Sequence, residues 1–83
     1  SVIGVDSMYK RNIVTILNTI MELDISNFDE EIVYESIEFI DLIAMLEDEF
    51  KINVPIKDIN ERNFNSVNKM NLYIERKVRE KNG

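Results

Sequence analysis

Histidine and cysteine are both missing from this 83-residue chain. Without cysteine there is no disulfide framework, no thiolate zinc site and no cysteine nucleophile; without histidine the usual general base and metal ligand go too. Most hydrolytic mechanisms thereby lose their central residue. No apolar run approaches the roughly 18 residues of a membrane span, and residues 1–6 hold no basic stretch followed by an apolar core. Neither a membrane span nor a targeting segment is expected, and residues 1–6 are read as a disordered or extraneous lead-in ahead of Met8. Absence of cysteine is compatible with the cytosol, so a cytoplasmic location is the expectation.

Basic residues are missing from one long stretch. Between residues 29 and 49 there are nine acids and no Lys or Arg, within a chain of net charge −6. Lys69, Arg76, Lys77, Arg79 and Lys81, by contrast, make the C-terminal segment basic. An acidic patch repels nucleic-acid phosphates and attracts basic protein surfaces, speeding encounter more than deepening affinity. Nucleic acid is therefore not an expected partner.

Eighty-three residues make one domain, 1–83, and a chain this short buries only about 60% of its unfolded surface. A deep, walled active site is not expected. With 45% apolar and 31% charged residues the chain has the composition of a folded domain rather than a disordered one.

Periodicity places three long helices. Ile13, Ile16, Leu17, Ile20 and Leu23 give one face of a helix over residues 7–23, with Asp6 or Ser7 as its cap. Residues 24–35 mix turn formers with the isolated apolar anchors Ile25, Phe28, Ile32 and Val33, which reads as a long loop pinned to the core. Loops of this length are often functional. A second helix over 36–51 buries Phe39, Leu42, Ile43, Leu46 and Phe50, and ends at Asn53 and Pro55. Residues 58–62 allow a short helix or turn, with Ile56, Ile59 and Phe64 as core contacts. The last helix starts near Ser66 and buries Val67, Met70, Ile74 and Val78, flanked by Tyr73, with Arg79 and Lys81 at its negative end. The fold class expected is all-α: an antiparallel four-helix bundle with three longer helices and one short one.

Ser36 stands at the start of the acidic helix, immediately before its apolar-periodic run. A serine there is commonly an N-cap. A hydroxyl at a helix N-terminus also sits where backbone N–H groups and the helix dipole favour an anion, although Glu35 and Glu38 oppose one. With no histidine to take its proton and no Gly-x-Ser-x-Gly elbow, Ser36 is not expected to be a catalytic nucleophile, and no enzyme activity is expected. Asp29-Glu30-Glu31 reads as a solvated charge run rather than a metal site, and no calcium-loop pattern exists.

The stretch from Glu35 to Phe50 resembles the attachment site of the acyl carrier protein family: an acid, the modified serine, an aliphatic residue, and a helix closing in Leu46-Glu47-Asp48-Glu49-Phe50. Ile52-Asn53-Val54-Pro55 resembles the family's extended segment closed by proline, and Phe64-Asn65-Ser66-Val67 its entry to the last helix. The resemblance covers residues 28–74. It implies that Ser36 carries a 4′-phosphopantetheine arm, transferred from coenzyme A by a separate phosphopantetheinyl transferase whose complex uses magnesium. The arm's thiol then holds an acyl or aminoacyl group as a thioester for partner enzymes with basic docking surfaces. Glu35, Ile37, Glu38, Asp41, Ala44, Met45, Glu47 and Asp48 are the expected partner-binding residues, and the carrier is expected to be monomeric.

The pattern departs from the family at three positions. Val33 stands where a glycine is usual, Glu35 where an aspartate is usual, and Phe39 is bulkier than the customary residue. Valine does not easily adopt the positive φ open to glycine, so the loop is expected to take another path. A free-standing carrier for a specialised acyl pathway fits better than the housekeeping fatty-acid carrier. An aminoacyl or peptidyl cargo, or an unmodified acidic interaction module, are the alternatives.

Overall fold

The computed structural model describes the backbone of residues 2–82 and the side chains of residues 9–82. Helix α1 spans Val2–Met21, α2 Ser36–Phe50, α3 Glu61–Phe64 and α4 Val67–Asn82, with a 3-10 turn over Ile56–Asp58. Among the described residues there is no strand, so the all-helical expectation holds. The first helix begins at Val2 rather than near residue 7. The cap assigned to Asp6 or Ser7 rests on side chains outside the described residues, as does Ser1.

Helix α1 packs against both α2 and α4, while α3 packs on α4. The core they enclose takes Ile13, Ile16 and Leu17 from α1, Leu42, Ile43, Leu46 and Phe50 from α2, Phe64 from α3, and Val67, Met70, Tyr73 and Ile74 from α4. Each long helix contributes at intervals of three and four residues, the spacing that lines up one face. Ile20, Leu23, Phe39 and Val78 lie half-buried at its edge. Tyr73, expected on the flank, is a core residue at 3% exposure. Its phenol can be buried because the hydroxyl donates to Asp58 Oδ2 at 2.8 Å.

Several apolar residues expected inside are outside. Val33 and Ile56 are exposed, and Phe28 and Ile59 lie at the surface. All four sit in connections, where a short irregular backbone turns only some side chains inward. Ile32 and Val54 are the connection residues that reach the core. Phe28 instead lies under the Lys10 ammonium, 5.5 Å from the ring centre.

Local chemistry ends each helix. α2 stops at Phe50 because Lys51 turns left-handed, φ 54°, and its N–H donates to Glu47 O. Asn53 and Pro55 come too late to end it. Glu22, φ 53°, closes α1 in the same way, its N–H donating to Asn18 O at 3.2 Å. Asn60 caps α3 by accepting from Asn63 N–H at 3.1 Å, and Ser66 Oγ caps α4 by accepting from Lys69 N–H at 3.1 Å.

Candidate functional site

Ser36 is the first helical residue of α2, and Glu35 is the N-cap. The reason lies three residues along. With Glu35 at the cap, Glu38 falls at the third helical position, and its Oε1 accepts from Glu35 N–H at 2.7 Å. Had Ser36 been the cap, that position would hold Phe39, which has no acceptor. The serine is thereby released from capping, and its side chain is exposed.

The loop before it is held from behind. Ile32 N–H donates to Asn65 O at 2.7 Å, and Asn68 N–H donates to Phe28 O at 3.0 Å. Asn68 Nδ2 donates to Asp29 Oδ1 at 2.6 Å, and Tyr34 Oη donates to Phe64 O at 2.7 Å. Four bonds thus fasten residues 28–34 to the α3–α4 junction, a connection without a regular element of its own. Val33 is not among the left-handed residues, so the loop reaches Ser36 without the conformation a glycine would allow. Burial pushes the Tyr34 phenol above its ordinary range, so the group stays a donor well into alkali.

Beside the serine lies an open cleft of ≈ 300 Å³ lined by Tyr34, Glu35, Ser36, Phe39, Ile59, Asn60 and Glu61. Its floor is aromatic. Phe39 stacks on Tyr34 at 5.4 Å and meets Phe64 edge-on at 5.9 Å, and Phe64 in turn lies 5.1 Å from Tyr73. Phe39 thus fills the space behind the α2 N-terminus. Among the described residues no Lys or Arg lines the cleft, while Glu35 and Glu61 do, so an anion is favoured on the solvent side of Ser36 rather than in the cleft.

The expected partner-binding residues divide by structure. Glu35, Ile37, Asp41, Ala44 and Asp48 are exposed, and Ile37, Asp41, Ala44 and Asp48 share one face of α2. Met45 is half-buried against the core. Glu38 is spent on the cap, and Glu47 on the far end, where its Oε2 accepts from Val54 N–H at 2.9 Å. Asp48 lies 3.8 Å from Lys51, a solvent-exposed pair of little energetic weight. Ile40, 67% exposed, joins Ile37 on this surface; helical spacing alone could have found it, as the residue three after Ile37.

Other serines and acids are placed differently. Ser66 is buried and acts as a cap, whereas Ser26 is exposed in the loop away from a helix start; Ser7 lies outside the described side chains. Asp29, Glu30 and Glu31 are exposed, and among the described residues no group of three acids could hold a metal ion. Lys81 stands in the last turn of α4 with Arg79, as expected, and also reaches across: its Nζ donates to Lys51 O at 2.8 Å and Phe50 O at 3.5 Å, the carbonyls at the end of α2. Among the described residues no helix is long and apolar enough to cross a membrane. The chain matches no protein-family model, no curated protein and no solved structure.

Proposed function

We propose that this chain is a carrier protein, bearing its cargo on a 4′-phosphopantetheine arm attached to Ser36 Oγ. The observation that carries the reading is the release of Ser36: an exposed hydroxyl at the first residue of a 15-residue acidic helix, with capping given to Glu35 and Glu38. A transferase can reach such an oxygen without unfolding anything. The first-turn N–H groups, which have no partner within a helix, favour a phosphodiester there. Glu35 and Glu61 direct it outward. When attached, the arm would supply a thiol that holds an acyl group as a thioester. The protein's part is to present the arm, and it is not itself an enzyme; magnesium belongs to the complex with the modifying transferase.

The reading includes an antiparallel arrangement of the helices and a cytoplasmic location. Ile37, Asp41, Ala44 and Asp48, with Glu35 and Met45 at the margin, form the face offered to biosynthetic enzymes with basic surfaces. An acyl cargo ranks above an aminoacyl one, because the Gly-Gly-x-Ser of peptidyl carriers is lacking. The test is intact mass after incubation with coenzyme A, magnesium and a broad-specificity phosphopantetheinyl transferase. One phosphopantetheine adduct on the protein and none on Ser36→Ala is the expected result. A folded protein that stays unmodified with several transferases would turn the reading to an unmodified acidic interaction module.

A further inference from the structure

The charge of this molecule is separated along its length. Up to Phe50 there are twelve acids against two bases, and from Lys51 onward eight bases against four acids. Folding brings three of those later bases together on one flank. Arg62 of α3 and Lys69, Leu72 and Arg76 of α4 line a cleft of ≈ 260 Å³ with Asn63 and Tyr73, and no carboxylate lines it among the described residues. Lys69, Leu72 and Arg76 follow at intervals of three and four, so they share one face of α4. All three and Arg62 are exposed, and Leu72 keeps 64% of its surface in water. The Arg76 guanidinium carbon lies over the Tyr73 ring, 5.1 Å from its centre, which holds the group on this flank.

The exposed face of α2 is complementary. It offers two large apolar side chains, Ile37 and Ile40, beside Asp41 and Asp48, and α2 contains no cation. One surface is an apolar residue among three cations, carried by α4 and the adjoining α3; the other is an apolar pair among carboxylates on α2. We propose that these two surfaces bind each other between copies of this chain, the α2 face of one seated on the α3–α4 flank of the next. Apolar contact of Ile37 and Ile40 with Leu72 supplies the dry centre, and the ion pairs around it set register. Because two different surfaces meet, the contact is heterologous and closes only if the geometry lets both copies dock at once. It also covers the helix that begins at Ser36, so an associated copy withholds its attachment site. The inference does not rest on the carrier reading, since the unmodified chain carries both surfaces.

Sedimentation velocity on the whole chain tests it. At about 0.02 M salt, where the Debye length is about 20 Å, the weight-average mass should climb with concentration toward about twice the monomer's by about 1 mM protein. At about 0.5 M salt, with a Debye length near 4 Å, it should fall back to the monomer. Arg62→Glu with Lys69→Glu and Arg76→Glu should abolish association, as should Asp41→Lys with Asp48→Lys, each checked for native helicity. An equimolar mixture of those two variants should associate again, because the reversed face of one then matches the reversed flank of the other. A monomer mass throughout overturns the proposal and leaves the flank to some other anionic partner. So does association that survives reversal of either surface, or a mixture that fails to associate. Measured at high salt, where the chain is monomeric, the mass adduct on Ser36 is decided independently of association, so the two readings fail separately.

Discussion

The two ends of α2 are built for opposite purposes. At its C-terminus, Phe50 is buried edge-on to Tyr9 at 5.6 Å, Lys51 turns left-handed, Glu47 holds Val54 N–H, and Lys81 crosses from α4 to the last carbonyls. At its N-terminus, Glu35, Ser36 and Ile37 are exposed, and the capping bonds between Glu35 and Glu38 are local. Fastening one end through contacts distant in sequence leaves the other free to present a hydroxyl. A site that partners must reach can be open only if the helix beneath it is secured elsewhere.

This contrast breaks most visibly on truncation. Phe50→Ala should cost about 3–5 kcal/mol, the range for emptying a buried aromatic site, whereas Ile37→Ala should fall within about 0.5 kcal/mol of the parent. Urea unfolding of both variants measures the gap; equal losses would mean that the N-terminal end is packed as tightly as the other.

A finer version compares two glutamates that both serve the backbone. Glu47→Ala strands the N–H of buried Val54 and should cost about 1–3 kcal/mol. Glu38→Ala removes a bond to an exposed N–H, which water replaces, and should cost about 0.5–1 kcal/mol. Amide exchange should quicken around Val54 in the first variant and around residues 35–39 in the second.

Alkali should loosen the open end first. Burial raises the Tyr34 phenol, and burial followed by the Asp58 carboxylate raises that of Tyr73. A phenol raised on folding contributes stability that is complete below its unfolded value near 10 and is lost as pH rises toward the folded value. Tyr34 would then no longer donate to Phe64 O, so residues 28–35 should gain amide exchange above about pH 10, before residues 46–54 do. Tyr34→Phe should show that looseness already at neutral pH; an unchanged loop would remove Tyr34 from the list of pins.

The helical elements were legible because their apolar spacing is regular: Ile13, Ile16 and Leu17, or Leu42, Ile43 and Leu46, can face inward together only on a helix. Connections carried no such signal. Val33 and Ile56 are as apolar as Ile32 and Val54, yet the first pair is exposed and the second buried. Which way each points depends on a turn fastened to residues far along the chain, such as Asn65 for Ile32. Ser36 was legible as the residue of interest through its neighbours, and its freedom was not, since capping is settled by which residue closes on Glu38. The same holds for Glu47, an acid like its neighbours in sequence and a backbone acceptor in the fold.

By itself, then, the sequence determined that the chain is helical, the order and approximate positions of its long helices, that cysteine and histidine chemistry are unavailable, and that acid and base are separated along its length. These follow from residue type and local spacing, which need no knowledge of distant contacts. Only the tertiary structure decided that Tyr73 is core, that Lys81 serves α2, that Phe39 fills the space behind Ser36, and that Arg62, Lys69 and Arg76 meet on one flank. Each depends on bringing together residues whose separation in the chain has no bearing on their distance once α1 has drawn α2 and α4 around one core.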